Sequence, residues 1–183
     1  MVAGLADVMI AAGFEVRPVL RALFLSDEFW SVTARQGLVR SPVEYVVNVL
    51  QQVGLSATFM QVTWMVESMG QNLFSPPNVS GWRPNGYWLS TAAASMKHEF
   101  ANAITWRLEQ ANRATPLEPI TSLSVDAAVA RVFDQLGVVA PSDRSRAVLT
   151  AWLVTQRATL YQGWAEGRQM LALALMLPEM QLA

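Results

Sequence analysis

Cysteine is absent from all 183 residues. That excludes a disulfide framework, a thiolate metal site and a cysteine nucleophile, and it leaves the redox compartment open. Histidine is nearly as scarce, with His98 the single one. On a helix its neighbours four residues away are Ala94 and Asn102, so no second metal ligand or catalytic partner shares its face. Charge is thin as well. Charged residues make up 15% of the chain, against roughly 25% in an ordinary soluble domain. The net charge is -1 with both signs scattered, which argues against a nucleic-acid partner, because phosphate neutralisation needs a basic patch.

Long apolar runs are missing too. The longest, residues 170–177, is far short of the roughly 20 residues of a spanning helix, so no transmembrane segment is expected. Before Arg17 there is no Lys or Arg, and Asp7 interrupts the apolar start; the first residues do not read as a secretory signal. No strand-period segment of useful length and no internal repeat is present. Nor is there a glycine-rich phosphate loop or a nucleophile elbow. No catalytic constellation, metal site or cofactor is expected, and the reading leans away from an enzyme.

What is present is helical periodicity and apolar residues, 52% of the chain. The pattern predicts an all-α fold of about seven helices packed as helical hairpins, with no sheet. Residues 2–12 are small and apolar up to Gly13, and a helix from about 17 to 25 follows with Pro18 in its first turn. Ser26 caps a short "SDEFW" turn that is expected to point Phe29 and Trp30 inward. The stretch "SPVE" is the clearest helix start: Ser41 as cap, Pro42 at the first position, Glu44 three residues on. Val43, Val46, Val47, Leu50 and Val53 then recur at helical spacing until Gly54. Leu55, Phe59, Val62, Val66 and Met69 mark a second helix, antiparallel to the first.

Further helices are expected over 91–112, with Met96, Phe100, Ala103 or Ile104, and Leu108 inward; from the cap Ser124 to Gly137; from the cap Ser142, carrying Val148, Leu149, Trp152 and Leu153; and over about 162–177, stopped by Pro178. The expected organisation is a helical region over 1–112, a proline-containing connector over 113–123, and a C-terminal helical region over 124–183 packing on the first. Together these read as one domain or part of a larger one.

Residues 70–90, "GQNLFSPPNVSGWRPNGYWLS", break this pattern. Pro76 and Pro77 fix their own φ, and Pro77 pushes Pro76 towards extended backbone. Asn78, Gly81 and the pair Asn85-Gly86 suit positive φ and predict sharp turns. The loop is therefore expected to be rigid and to hold Phe74, Trp82, Tyr87 and Trp88 in fixed places. Three uses compete. The rings plug the end of the helical hairpin; they form a partly exposed platform for a sugar; or they anchor a protein partner. Gln71 and Asn78 are expected to bond backbone groups of the loop itself. Elsewhere, Glu67 reads as a cap or salt-bridge partner near the loop. Met60, Met65 and Met69 read as core filler, and Arg83 as solvent-exposed.

The same stretch resembles the signature of a bacterial family known as domain of unknown function 1800. The matching residues are Gly70, Gln71, Phe74, Pro76, Pro77, Val79, Gly81, Trp82 and Trp88. Three further blocks agree in order: "LRALFLSDEFW", "VRSPVEYVV" and the terminal "LALMLPEMQ", where Leu177 and Met180 replace the family's usual Ser and Phe. The resemblance covers nearly all of this chain but only the C-terminal part of the family, whose full members carry a further N-terminal helical half. It implies a fragment or a short member. It also implies a mostly helical protein of the periplasm, envelope or secreted fraction, and no defined reaction. The leading expectation is a structural or interaction module of an exported or envelope-associated protein, its partner the missing half or another envelope protein. The alternative is a part of a polysaccharide-processing or glycan-binding protein that uses the aromatic loop.

Overall fold

The computed structural model describes all residues except 36, 58–61, 111–119 and 160–165, and in addition leaves the side chains of 32, 35, 109 and 110 undescribed. The chain is all-α. Among the described residues the single piece of extended pairing is an isolated antiparallel bridge between Val39 and Leu182. Two compact units are distinguishable, Met1–Leu38 together with Ala183, and Val39–Leu182. The expected connector at 113–123 falls inside the second unit and mostly outside the described residues.

The first unit contains α1 (Val2–Ala11), α2 (Val16–Phe24) and the single turn α3 (Val32–Arg35). Gly13 and Phe14 both take positive φ, 58° and 67°, and so reverse the chain between α1 and α2. Ser26 caps the next turn as expected, its hydroxyl accepting from Phe29 N at 3.3 Å. Trp30, expected inside, is exposed. Its indole Nε1 donates to Phe24 O at 2.6 Å and its ring meets Phe29 edge-on at 5.3 Å, so the polar tip is satisfied locally without burial.

The second unit runs α4 (Pro42–Val53), α5 (Val62–Ser68), α6 (Thr91–Gln110), α7 (Val125–Gln135), α8 (Asp143–Ala158), α9 (Glu166–Leu175) and the turn α10 (Pro178–Gln181), with 3-10 turns at Asn85–Trp88 and Ile120–Ser122. Helix boundaries follow local chemistry. Ser41 and Glu44 form the reciprocal capping box, and Gly54 closes α4 in the left-handed region at φ 67°. Ser124 and Ser142 cap α7 and α8 by accepting from Ala127 N and Ser145 N. Pro178 follows α9 and occupies the first turn of α10. Of the predicted second helix, Val66 and Met69 are buried, while Phe59 and Met60 lie outside the described residues. The first residues of the predicted last helix lie outside them too.

α6 and α9 make the most extensive helix pair. Phe100, Ala101, Ile104 and Leu108 from α6 meet a core that includes Met170, Leu171, Ala174 and Leu175 from α9. Ala101 and Ala174 are fully buried and keep both helices free of bulk at those points. Each fully buried Leu, Ile, Phe or Met contributes about 1.5–3 kcal/mol, so this pair is a main source of stability. α4 packs differently from its predicted face. Tyr45 and Val49 are fully buried and Val47 is exposed. The inward stripe is 42, 45, 46, 49, 50, 53, which keeps strict three-and-four spacing. Tyr45 tolerates burial because its hydroxyl donates to Leu175 O at 3.1 Å. On α8, Val148 is likewise exposed, while Ser145, Leu149 and Leu153 form the buried stripe.

Candidate functional site: the aromatic loop and the cleft beside it

The loop over 70–90 is tied down at both ends by side-chain bonds to distant backbone. Gln71 Oε1 accepts from Val43 N at 3.0 Å, outside the loop to which its bonding was expected to be confined. The reason is a vacancy at the start of α4. A helix leaves its first backbone N–H groups without partners. There, Ser41 N donates to Glu44 Oε2 at 2.7 Å, Pro42 has no N–H, and Glu44 N donates to the Ser41 hydroxyl at 3.4 Å. Val43 N is the remaining donor, and Gln71 takes it. At the far end Asn85 Oδ1 accepts from Val39 N at 3.2 Å.

Along the loop the turns are made by Gly70 (φ 102°), Phe74 (φ 64°), Gly81 (φ 80°) and Asn85 (φ 56°). Asn78 and Gly86, expected among them, do not take positive φ. Asn78 instead accepts from Ser80 N at 2.8 Å and fixes the turn through its side chain. Phe74 was not expected in the left-handed region, which costs a non-glycine residue about 1–2 kcal/mol. Glu67 accepts from Asn72 Nδ2 at 3.3 Å and so steadies the loop's first residues.

The four rings divide. Phe74 is 96% exposed and Tyr87 is exposed, Trp82 is half-buried, and Trp88 is 4% exposed. Tyr87 meets Trp88 edge-on at 5.1 Å. Pro76, Pro77 and Val79 are exposed with Phe74, while Gly81 is partly covered. The first half of the loop therefore projects apolar side chains into solvent, and the second half carries one ring into the protein.

Trp88 lines a cleft of about 280 Å³ at the start of α6. Trp88, Leu89, Ala94 and Met176 supply its apolar walls; Ser90, Thr91, Lys97 and Gln181 supply its polar groups. Lys97 is 3% exposed. Its Nζ donates to Gln181 Oε1 at 2.6 Å and lies 5.1 Å from the Tyr45 ring centroid. Among the described residues no carboxylate stands within ion-pair distance of it; the pair that exists is Arg157–Glu166, at 2.8 Å. Burial pushes the ammonium's pKa below its ordinary value.

Lys97 is a buried residue of this part of α6, beside a histidine that is not. His98 is exposed, its Nε2 3.0 Å from Asn102 Nδ2. The available signal was register: 93, 97, 100, 101, 104 and 108 lie on the buried face of α6, and Lys97 occupies a core position of that stripe. Glu179 was also missed as a structural group. At 8% exposure its Oε1 accepts from Ser142 N and its Oε2 from the Ser145 hydroxyl, both at 2.8 Å. Burial alone would raise its pKa, but the hydrogen bonds from Ser142 and Ser145 outweigh this and hold it below the ordinary carboxylate value. Among the described residues there is no group of three His, Cys, Asp or Glu able to hold a metal, and no helix long and apolar enough to cross a membrane.

These features define an all-α protein that carries an aromatic loop tied to distant backbone at both ends, with a cleft beside it walled in part by Lys97. The chain matches the family model described as "Protein of unknown function (DUF1800)" over residues 1–182, and it belongs to that family. No curated protein and no solved structure matches it.

Proposed function

We propose that this chain is a non-enzymatic interaction module of an exported or envelope-associated bacterial protein, and that the loop over 70–90 is its anchor for another envelope protein. The observation that carries this reading is Phe74, an aromatic residue 96% exposed and held at φ 64°. A ring kept in water on strained backbone gains nothing for the isolated fold. On a partner's surface it would bury 150–250 Å². The ties through Gln71 and Asn85 supply the second requirement, because an anchor already held in place loses little entropy on binding. Leu73 and Val79 of the same loop are also exposed, and aromatic residues are enriched at the core of protein interfaces.

The test is photo-crosslinking from position 79 in the native host, with the full-length protein. A discrete heteromeric adduct is expected, and Phe74→Ala should weaken it at least about tenfold, equivalent to 1.4 kcal/mol, with the melting temperature unchanged. A protein that stays alone in the cell while turning over a substrate would contradict the reading. The glycan alternative would use Trp82, Tyr87 and Trp88 as a stacking surface. It is less well supported, because Trp88 at 4% exposure has little ring face to offer a sugar. A glycan array with Trp82→Ala as control separates the two.

A further inference from the structure

The cleft beside Trp88 has a feature that the loop reading does not use. Lys97 stands at its wall, nearly out of water, and the contacts of its ammonium among the described residues are neutral. Gln181 Oε1 accepts a hydrogen bond from Lys97 Nζ, and the Tyr45 ring centroid lies 5.1 Å away. Both contacts favour the charged form, but neither cancels the charge. Isolated buried charges are costly unless they are paired, and among the described residues no carboxylate does so. The remaining walls are Trp88, Leu89, Ala94 and Met176, with Ser90 and Thr91 beside them. At about 280 Å³ the space falls just below the usual range of drug-sized sites, roughly 300 to 1,000 Å³, and so suits a smaller ligand.

We propose that this cleft binds a small monocarboxylate with a short apolar tail, its carboxylate pairing with Lys97 and its tail lying against Trp88 and Met176. The carboxylate supplies the missing negative charge, and bonding to it inside apolar walls is stronger than in water. The tail distinguishes this ligand from inorganic anions, which would leave Trp88, Leu89, Ala94 and Met176 uncovered. The proposal is independent of the interaction reading, since Phe74 and Val79 do not line the cleft.

The probes are hexanoate, hexan-1-ol and inorganic phosphate, titrated by calorimetry against the whole chain, with the Lys97 side chain followed by NMR. Hexanoate is expected to saturate at one per chain and to shift the Lys97 signal. Hexan-1-ol and phosphate should each bind at least about tenfold more weakly. Lys97→Met should lower hexanoate affinity by a similar factor. Ala94→Phe, which fills the cleft from an exposed position and leaves Lys97 in place, should abolish binding with the helical content unchanged, and it carries the test if Lys97→Met does not fold. Absence of saturation by hexanoate overturns the proposal. So does equal affinity for hexan-1-ol or phosphate, unchanged affinity in Lys97→Met, or unchanged affinity in Ala94→Phe.

Discussion

The N-termini of α4 and α8 solve the same problem with different chemistry. Each begins with a serine cap, Ser41 or Ser142, and each is completed by a side chain from far along the chain. For α4 that side chain is the neutral Gln71, 28 residues after the Val43 donor it satisfies. For α8 it is the ionised Glu179, 37 residues after Ser142, and it also takes the Ser145 hydroxyl. The difference is one of burial and charge. Glu179 is nearly enclosed and sits where the helix dipole favours an anion, whereas Gln71 is partly exposed at a neutral amide contact. Both residues lie in the two stretches that carried the family resemblance in the sequence, residues 70–82 and 173–181. The blocks therefore join segments distant in sequence by capping helices, and a reaction is not needed to account for these two side chains.

That contrast orders the expected effects. Glu179→Ala removes two hydrogen bonds to a charged acceptor, leaving Ser142 N without its partner and the buried Ser145 hydroxyl with only the bond it accepts from Ser142 Oγ, and should cost about 2–4 kcal/mol in chemical denaturation. The same carboxylate sets an acid dependence. Its folded pKa is lowered from 4.5, so its contribution is fully present above that value and is lost as pH falls through the lower folded value. The unfolding free energy of the native protein should therefore drop with acidification below about 4.5, and Glu179→Gln should flatten the slope in that window. A variant with the native slope would show that Glu179 is not the group responsible. Gln71→Ala strands one partly exposed amide and should cost about 1 kcal/mol, in the range of a lost cap. The smallest effects lie in the projecting half of the loop. Phe74→Ala should change stability by less than about 0.5 kcal/mol. Phe74→Gly, which removes the left-handed penalty, should raise it by about 1 kcal/mol. A large loss in either would mean that the ring is held by packing.

Local chemistry was legible in the sequence; distant partners were not. Ser41, Pro42, Glu44 and Gly54 announce the boundaries of α4 because every one of those interactions spans four residues or fewer. Phe100, Ile104 and Leu108 announce the buried face of α6 for the same reason of short periodicity. Tyr45 was overlooked as a core residue because its burial depends on Leu175 O, 130 residues away. Lys97 was overlooked because a lysine in a core register looks like a break in the stripe until Gln181 and Tyr45 are seen around it. In the loop, Gly81 and Asn85 foretold turns, but the division of the rings into exposed Phe74 and buried Trp88 depends on which half lies against α6 and which faces solvent. The pull of Gln71 towards α4 was hidden for a related reason: the vacancy it fills exists only because Pro42 and Ser41 have already dealt with the other donors.

Residue-resolved amide hydrogen exchange at Val43, compared between the native protein and Gln71→Leu, examines that capping directly, since leucine keeps the volume and removes the acceptor. If the loop's glutamine holds the start of α4, exchange at Val43 should quicken at least about tenfold, or 1.4 kcal/mol of local opening, while Phe100 and Leu171 in the core stay at their native rates. Exchange at Val43 that is no faster in the variant would contradict the assignment of this block to architecture.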